Sequence, residues 1–184
     1  AAMKNLGNTW AAGSGIFETI RVEDGQVFGL HRHHCRAKET ADKLGISIPT
    51  EDFVSQASYE VIASEEFKVG RLRWHFDTAG EFTISYTQYQ DPTEPAKLMI
   101  FDERESEFNV QNKEFPYKNL ELLERAKAAN FDDGIIVRSD GQVAETSMAT
   151  LLLKIDSSWV TPPLSSGILN GVVRALVLEA GLAQ

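Results

Sequence analysis

The whole chain holds one cysteine, Cys35, so no intrachain disulfide can form and no cysteine-based zinc cluster is possible. Long apolar runs are missing too. None approaches the roughly 18–20 residues needed to span a bilayer, and the opening AAMKNLGNTW lacks the apolar stretch of a secretory signal. Positive charge is scarce: 18 Lys and Arg stand against 27 Asp and Glu, a net charge of -9. That balance argues against nucleic acid or an anionic membrane as the main partner. There is no internal repeat and no low-complexity tract. At 184 residues, 42% hydrophobic and 24% charged, the chain has ordinary globular composition and material for one large domain or two small ones. The default is a cytoplasmic protein.

Local pattern divides the chain. GIFETIRVEDGQVFGL carries two β-rich runs joined at Asp24-Gly25, a hairpin signal. The recurrence of Ala37, Ala41 and Leu44 predicts a helix over about 33–44, with Gly45 at its C′ position. A second helix follows Thr50 as N-cap. RLRWHFDT and EFTISYTQY read as strands paired around Ala79-Gly80. QDPTEP, Gln90 to Pro95, is the best linker. Beyond it lie a helix over about 119–129, the strands GIIVRS, QVAETS, ATLLLKI and SWVT, and a last helix from near Asn170. Strands and helices mix without regular βαβ alternation, which predicts an α+β protein of two domains: a smaller one over 1–92 and a larger one over 93–184.

Four features could carry chemistry, each beside a plainer reading. Lys118 closes KEFPYK, just ahead of a helix. Such a lysine is usually solvated, yet one placed by its scaffold can form a Schiff base. Arg36 lies off the apolar stripe of the first helix; alone it reads as solvated, although its fork suits phosphate. Glu145 sits among Val143, Ala144, Thr146 and Ser147 and is either an outward strand residue or a pocket acid awaiting a cation. LNGVVR is at least a helix start, and its backbone N–H groups would suit an anion. The histidines of HRHHC lack a companion carboxylate or cysteine cluster at ligand spacing, so no metal site is expected.

Taken in order, FETIRVEDGQVF, Arg36 on the next helix, YKNLELL, DGQVAETS and TPPLSSGILNGVVR resemble the class IV aminotransferase family of pyridoxal-phosphate enzymes, from about Gly15 to the C-terminus. The family includes branched-chain and D-amino-acid aminotransferases and 4-amino-4-deoxychorismate lyases. The resemblance implies the two-domain fold type IV, with a small α/β N-terminal domain, a larger pseudo-barrel C-terminal domain, and pyridoxal 5′-phosphate between them. Lys118 matches the lysine that binds the cofactor covalently, and Glu145 the acid paired with the pyridinium nitrogen. Arg36 matches the phosphate-gripping arginine, Val172 and Val173 the residues whose N–H groups bind the phosphate, and Leu169 a residue packing on the ring. The substrate would be a small amine or amino acid, and relatives are usually homodimers.

Two departures stand out. Family members often carry isoleucine-threonine where this chain has Val172-Val173. The usual RGFxxGDG lead-in is reduced to TWAAGSG, and the usual further strand and hydroxyl-bearing loop do not follow, so a fold incomplete at its C-terminus is expected. Thr19 in FET stands where the lyases have a threonine and branched-chain enzymes tend to have glycine, and LNG is closer to the lyases than the transaminases' Pro-Gly. Leu123 stands where branched-chain enzymes usually carry tyrosine, a leucine that D-amino-acid enzymes share. The order of expectation is an aminodeoxychorismate lyase in the folate pathway, with Thr19 and Lys118 catalytic. An aminotransferase of branched-chain or D-amino acids comes next, then an inactive scaffold of the same fold.

Overall fold

The computed structural model describes residues 15–103, 114–115 and 119–184. The chain forms two units. The first opens with β1 (Gly15–Glu23) and β2 (Gln26–Val27), continues through α1 (Leu30–Leu44) and α2 (Glu51–Ile62), and closes with β3 (Val69–Asp77) and β4 (Phe82–Gln88). After the linker the chain enters the second unit with β5 (Leu98–Glu103), returns to the first at β6 (Glu114–Phe115), then resumes the second with α3 (Asn119–Ala128). There it runs through β7 (Asp133–Arg138), β8 (Val143–Thr146), β9 (Leu153–Ile155), β10 (Ser158–Val160), a 3-10 turn at Leu164–Ser166, and α4 (Val172–Glu179).

The first unit is an antiparallel sheet in the order β2-β1-β3-β4. Its first turn is built as the Asp-Gly pair dictates, with φ of 47° at Asp24 and 75° at Gly25, so both central residues take the positive φ of a type I′ hairpin. β3 occupies one edge of β1, and β2 and β6 share the other, β6 through Gly15↔Phe115 and Ile16↔Glu114. Period-two alternation gives the sheet two unlike faces. Ile16, Ile20, Val22, Leu72, Trp74, Phe76, Ile84 and Tyr86 form the buried one, covered by Ala37 and Ala41 of α1 and by Val54, Ala57, Val61 and Ile62 of α2. At Gly70 a Cβ would run into the Tyr86 ring, so the glycine makes room for that side chain.

α2 begins as expected, with the Thr50 hydroxyl accepting from Phe53 N–H. α1 starts three residues earlier than the apolar spacing indicates, because Gly29 enters the left-handed region at φ 64° and launches the helix without a side-chain cap. In the second unit β5 and β7 are parallel, and β8 is antiparallel to β7. Leu122 and Ala126 of α3 pack with Phe101, Ile136, Ala144 and Ile168. The long strand expected over ATLLLKI shortens to β9. The reason is local: the Thr146 hydroxyl accepts from Ala149 N–H at 2.9 Å and donates to Ala149 carbonyl at 3.1 Å, turning the chain before a strand can begin. None of the described helices is long and apolar enough to cross a membrane.

Trp74 makes a polar contact inside the first core. Its indole N–H donates to Ser58 Oγ at 2.9 Å, and that hydroxyl donates to Val54 carbonyl at 2.7 Å. Trp74→Phe removes the donor and leaves a void. It should destabilise the fold by about 1–3 kcal/mol, read as a lowered midpoint of chemical denaturation with an unchanged slope. An unchanged midpoint contradicts this account of the core.

Candidate active site

Glu145 lies in β8, where Ala144, Glu145 and Thr146 are all buried. A strand buried on both faces has no solvent side to offer a carboxylate, so Glu145 is only 3% exposed. Its Oε2 accepts the Leu169 backbone N–H at 3.2 Å. The turn after it is fastened by Asp133, whose Oδ1 accepts both the Ser147 hydroxyl and, at 3.2 Å, the Ser147 N–H. Glu145 is thus held inward by the strand before it and the turn behind it.

Leu169 leads directly to α4. Leu169 and Val172 are buried, whereas Val173 is 63% exposed. The helix has Gly171 at its N-cap with no side-chain cap and no acid in its first turn. The first-turn N–H groups of a helix have no acceptor within it and bear a partial positive charge. A Cβ at Gly171 would come within 2.9 Å of Thr150 Oγ1, so a hydroxyl flanks this end. Arg174 braces the same turn from below, donating through Nη2 to Pro162 carbonyl at 2.9 Å. One hydrogen bond therefore joins a buried acid to the lead-in of an uncapped helix. That donor set fits a ligand with a protonated ring nitrogen and an anionic arm.

Arg36 belongs to the first unit, on α1. It is not a solvated side chain: its side chain is 11% exposed. Nε donates to Glu18 Oε1 at 2.9 Å and Nη2 donates to Glu18 Oε2. His33 Nδ1 lies 2.7 Å from the same Oε2. Burial alone would raise the Glu18 carboxyl, but hydrogen bonds from Arg36 and His33, with their charges, outweigh it and hold the group below the usual carboxylate range. The histidines of HRHHC go separate ways: His31 to Glu51, His33 to Glu18, His34 to Pro49 carbonyl.

Thr19 is half-buried on the opposite face of β1, across from Arg73 of β3. Arg71 is two residues along that strand, and β4 contributes Ser85 and Thr87 beside the two arginines. Burial, and then the like charge of Arg71, push the Arg73 guanidinium down to about 10, still charged at neutral pH. Lys118 lies outside the described residues. Sequence reasoning overlooked Glu18 and His33, although Glu18 is in phase with Ile16 and Ile20 and the spacing of His33 and Arg36 puts both on one helical face.

The family described as amino-transferase class IV matches residues 15–184, and the chain belongs to it. Members of this family in general depend on pyridoxal 5′-phosphate. A Schizosaccharomyces pombe protein named "Putative aminodeoxychorismate lyase" is 27% identical, over 91% of this chain and 74% of its own length. A Rickettsia conorii protein named "Probable branched-chain-amino-acid aminotransferase" is 24% identical, over 89% of this chain and 63% of its own length. This chain thus spans less than two thirds of that relative. A Legionella pneumophila crystal structure, of a "Putative 4-amino-4-deoxychorismate lyase", superposes with a TM-score of 0.77 at 21% identity, covering 93% of this chain and 71% of that one. The fold is that of the fold-type IV enzymes.

The Glu18 cluster makes a pH prediction. A carboxyl lowered on folding contributes stability that is complete above its unfolded value and lost as the pH falls through the folded one. Glu18→Gln should be less stable than the parent by about 3 kcal/mol at neutral pH, the scale of a broken buried pair. It should also lose less stability between roughly pH 5 and 3. Urea midpoints across that range test this, and identical acid limbs in both proteins contradict it.

Proposed function

We propose that the protein is a pyridoxal-phosphate-dependent lyase that converts 4-amino-4-deoxychorismate to p-aminobenzoate and pyruvate. The observation that carries the cofactor half of this reading is the buried Glu145 carboxylate, tied through Leu169 N–H to the uncapped start of α4. A carboxylate in that setting favours a protonated pyridine nitrogen. The N–H groups of Val172 and Val173, with the Arg36 guanidinium, would take the phosphate, and Leu169 would pack on the ring. Lys118 would hold the cofactor covalently at rest. When bound, pyridoxal phosphate supplies an electron sink for charge developing at the carbon that bears the substrate amine.

The rest falls to this chain's own residues. Lys118, as a neutral amine, takes the proton from the ring carbon bearing the amino group. The proton taken up by Lys118 replaces the one that the Thr19 hydroxyl gives to the departing enolpyruvyl group, which leaves as pyruvate while the ring becomes aromatic, so both residues return to their starting states. Atoms balance without water or a second substrate. What favours the lyase over an aminotransferase of branched-chain or D-amino acids is Thr19, opposite Arg73 in the β1–β3 register, and the lyase names among the relatives. The aminotransferase keeps its place as the second reading because of the Rickettsia relative. A cytoplasmic homodimer goes with either.

Incubation of the full protein with 4-amino-4-deoxychorismate and no 2-oxo acid should release pyruvate and aromatic amine over many turnovers. Absence of product there, with amino transfer from branched-chain or D-amino acids to 2-oxoglutarate, would sink the lyase reading. Borohydride reduction followed by peptide mapping should place the pyridoxyl group on Lys118. Glu145→Gln should keep the cofactor and lower kcat by about two orders of magnitude, the size of a lost electrostatic contact in the transition state. Arg36→Ala should chiefly weaken cofactor binding, by roughly 1.5–3 kcal/mol. Parent-like kcat in Glu145→Gln removes that residue from the site.

A further inference from the structure

Two segments of the second unit meet at two points. Glu145 Oε2 accepts the Leu169 N–H at 3.2 Å. Further along the same chain, Thr150 stands against Gly171, where an added Cβ would come within 2.9 Å of the threonine Oγ1. Between these points the Thr146 hydroxyl is bonded to both the N–H and the carbonyl of Ala149, so Thr150 is delivered by a closed turn. Threonine is also stiff at χ1. Its hydroxyl therefore has a set place beside the start of α4.

That hydroxyl is not used by the fold. An N-cap residue with a side-chain oxygen normally accepts from an N–H two or three positions on. Gly171 has no such oxygen, and the Thr150 hydroxyl, although next to the glycine, does not take over the bond: among the described residues it is in no hydrogen bond. The side chains of the first turn bring nothing in its place. Val172 and Val173 are apolar, and Arg174 turns away to give Nη2 to Pro162 carbonyl. The polar groups gathered at this end are thus backbone N–H groups and one hydroxyl that comes from a different segment. A hydroxyl donates as readily as it accepts, so it can join N–H donors on a single anion.

We infer that Thr150 is a binding residue for the phosphate of the cofactor, its hydroxyl donating to a phosphate oxygen beside the N–H groups of Val172 and Val173. This rests on the reading of the α4 start as the phosphate site. A residue that only packs against Gly171 would affect ligands with and without a phosphate alike. A hydroxyl bonded to the phosphate acts only on a ligand that carries one.

The test measures binding of pyridoxal 5′-phosphate and of pyridoxal, by equilibrium dialysis, to the full protein and to Thr150→Val and Thr150→Ser. Valine keeps the shape and removes the hydroxyl; serine keeps the hydroxyl. Far-UV circular dichroism confirms folding of each. Thr150→Val should lower the preference for the phosphorylated form by about tenfold, equivalent to one lost charge-assisted contact, and leave pyridoxal affinity at the parent level. Thr150→Ser should keep the parent preference. Equal weakening of both ligands in Thr150→Val makes the residue structural and overturns the inference, as does an equal loss of preference in the valine and serine variants. If the parent prefers the phosphorylated form and Thr150→Val does so to the same degree, the inference fails and the reading of the phosphate site stands. If the parent shows no preference, that reading fails and takes the inference with it. Should Thr150→Val not fold, Thr150→Ala is measured in its place, where a lowered preference supports the inference and an unchanged one overturns it.

Discussion

An ionised carboxylate taken out of water must be met by donors or cations, or it will not stay ionised. Glu18 shows that demand being met, and Glu145 is a second buried acid whose place the fold also fixes. Glu18 interrupts an apolar strand face and requires α1 to lie so that His33 and Arg36 both reach it. Glu145, buried on both sides of a short strand, requires the Leu169 N–H to turn inward just before α4. Each acid therefore sets a neighbouring group: the Arg36 guanidinium in the first unit, the lead-in to α4 in the second. The apolar core around Trp74 holds the first unit together, but it does not aim anything. The pairing of Glu18 with Arg36 does.

The first sheet separates these tasks by its pleat. One face takes the core side chains and Glu18. The other carries Thr19, Arg71 and Arg73 among hydroxyls of β4. Burial, and then the like charge of Arg71 two residues away, lower the pKa of Arg73.

Much of the fold was legible because its signals are local. The Asp24-Gly25 turn, the Thr50 cap and the alternation of RLRWHF each act within a few residues, and each element formed where its signal lay. The boundaries that differed answer to backbone choices with weak side-chain signatures: the left-handed Gly29 ahead of α1, and the Thr146 hydroxyl that turns the chain before β9. The site was less legible. Arg36, judged alone, sits off its helix's apolar stripe and reads as solvated. Its burial depends on Glu18, 18 residues away in sequence, and no single-helix pattern contains that. Glu145 was open between two orientations because a four-residue strand has too few positions to show whether one face or both are covered.

The departure at Val172-Val173 bears on which part of an anion site a sequence can alter without loss. A side-chain hydroxyl disappears when threonine is replaced by valine, but the backbone N–H does not. Val173 is largely exposed, so its side chain does not hold α4 in place; Val172 below it and the Arg174–Pro162 contact do that. The donors a phosphate would meet are thus fixed by helix geometry and by Gly171 at the N-cap, where a larger residue would press on Thr150. Losing the hydroxyl removes one polar contact from such a site and leaves its dipole and its N–H groups intact.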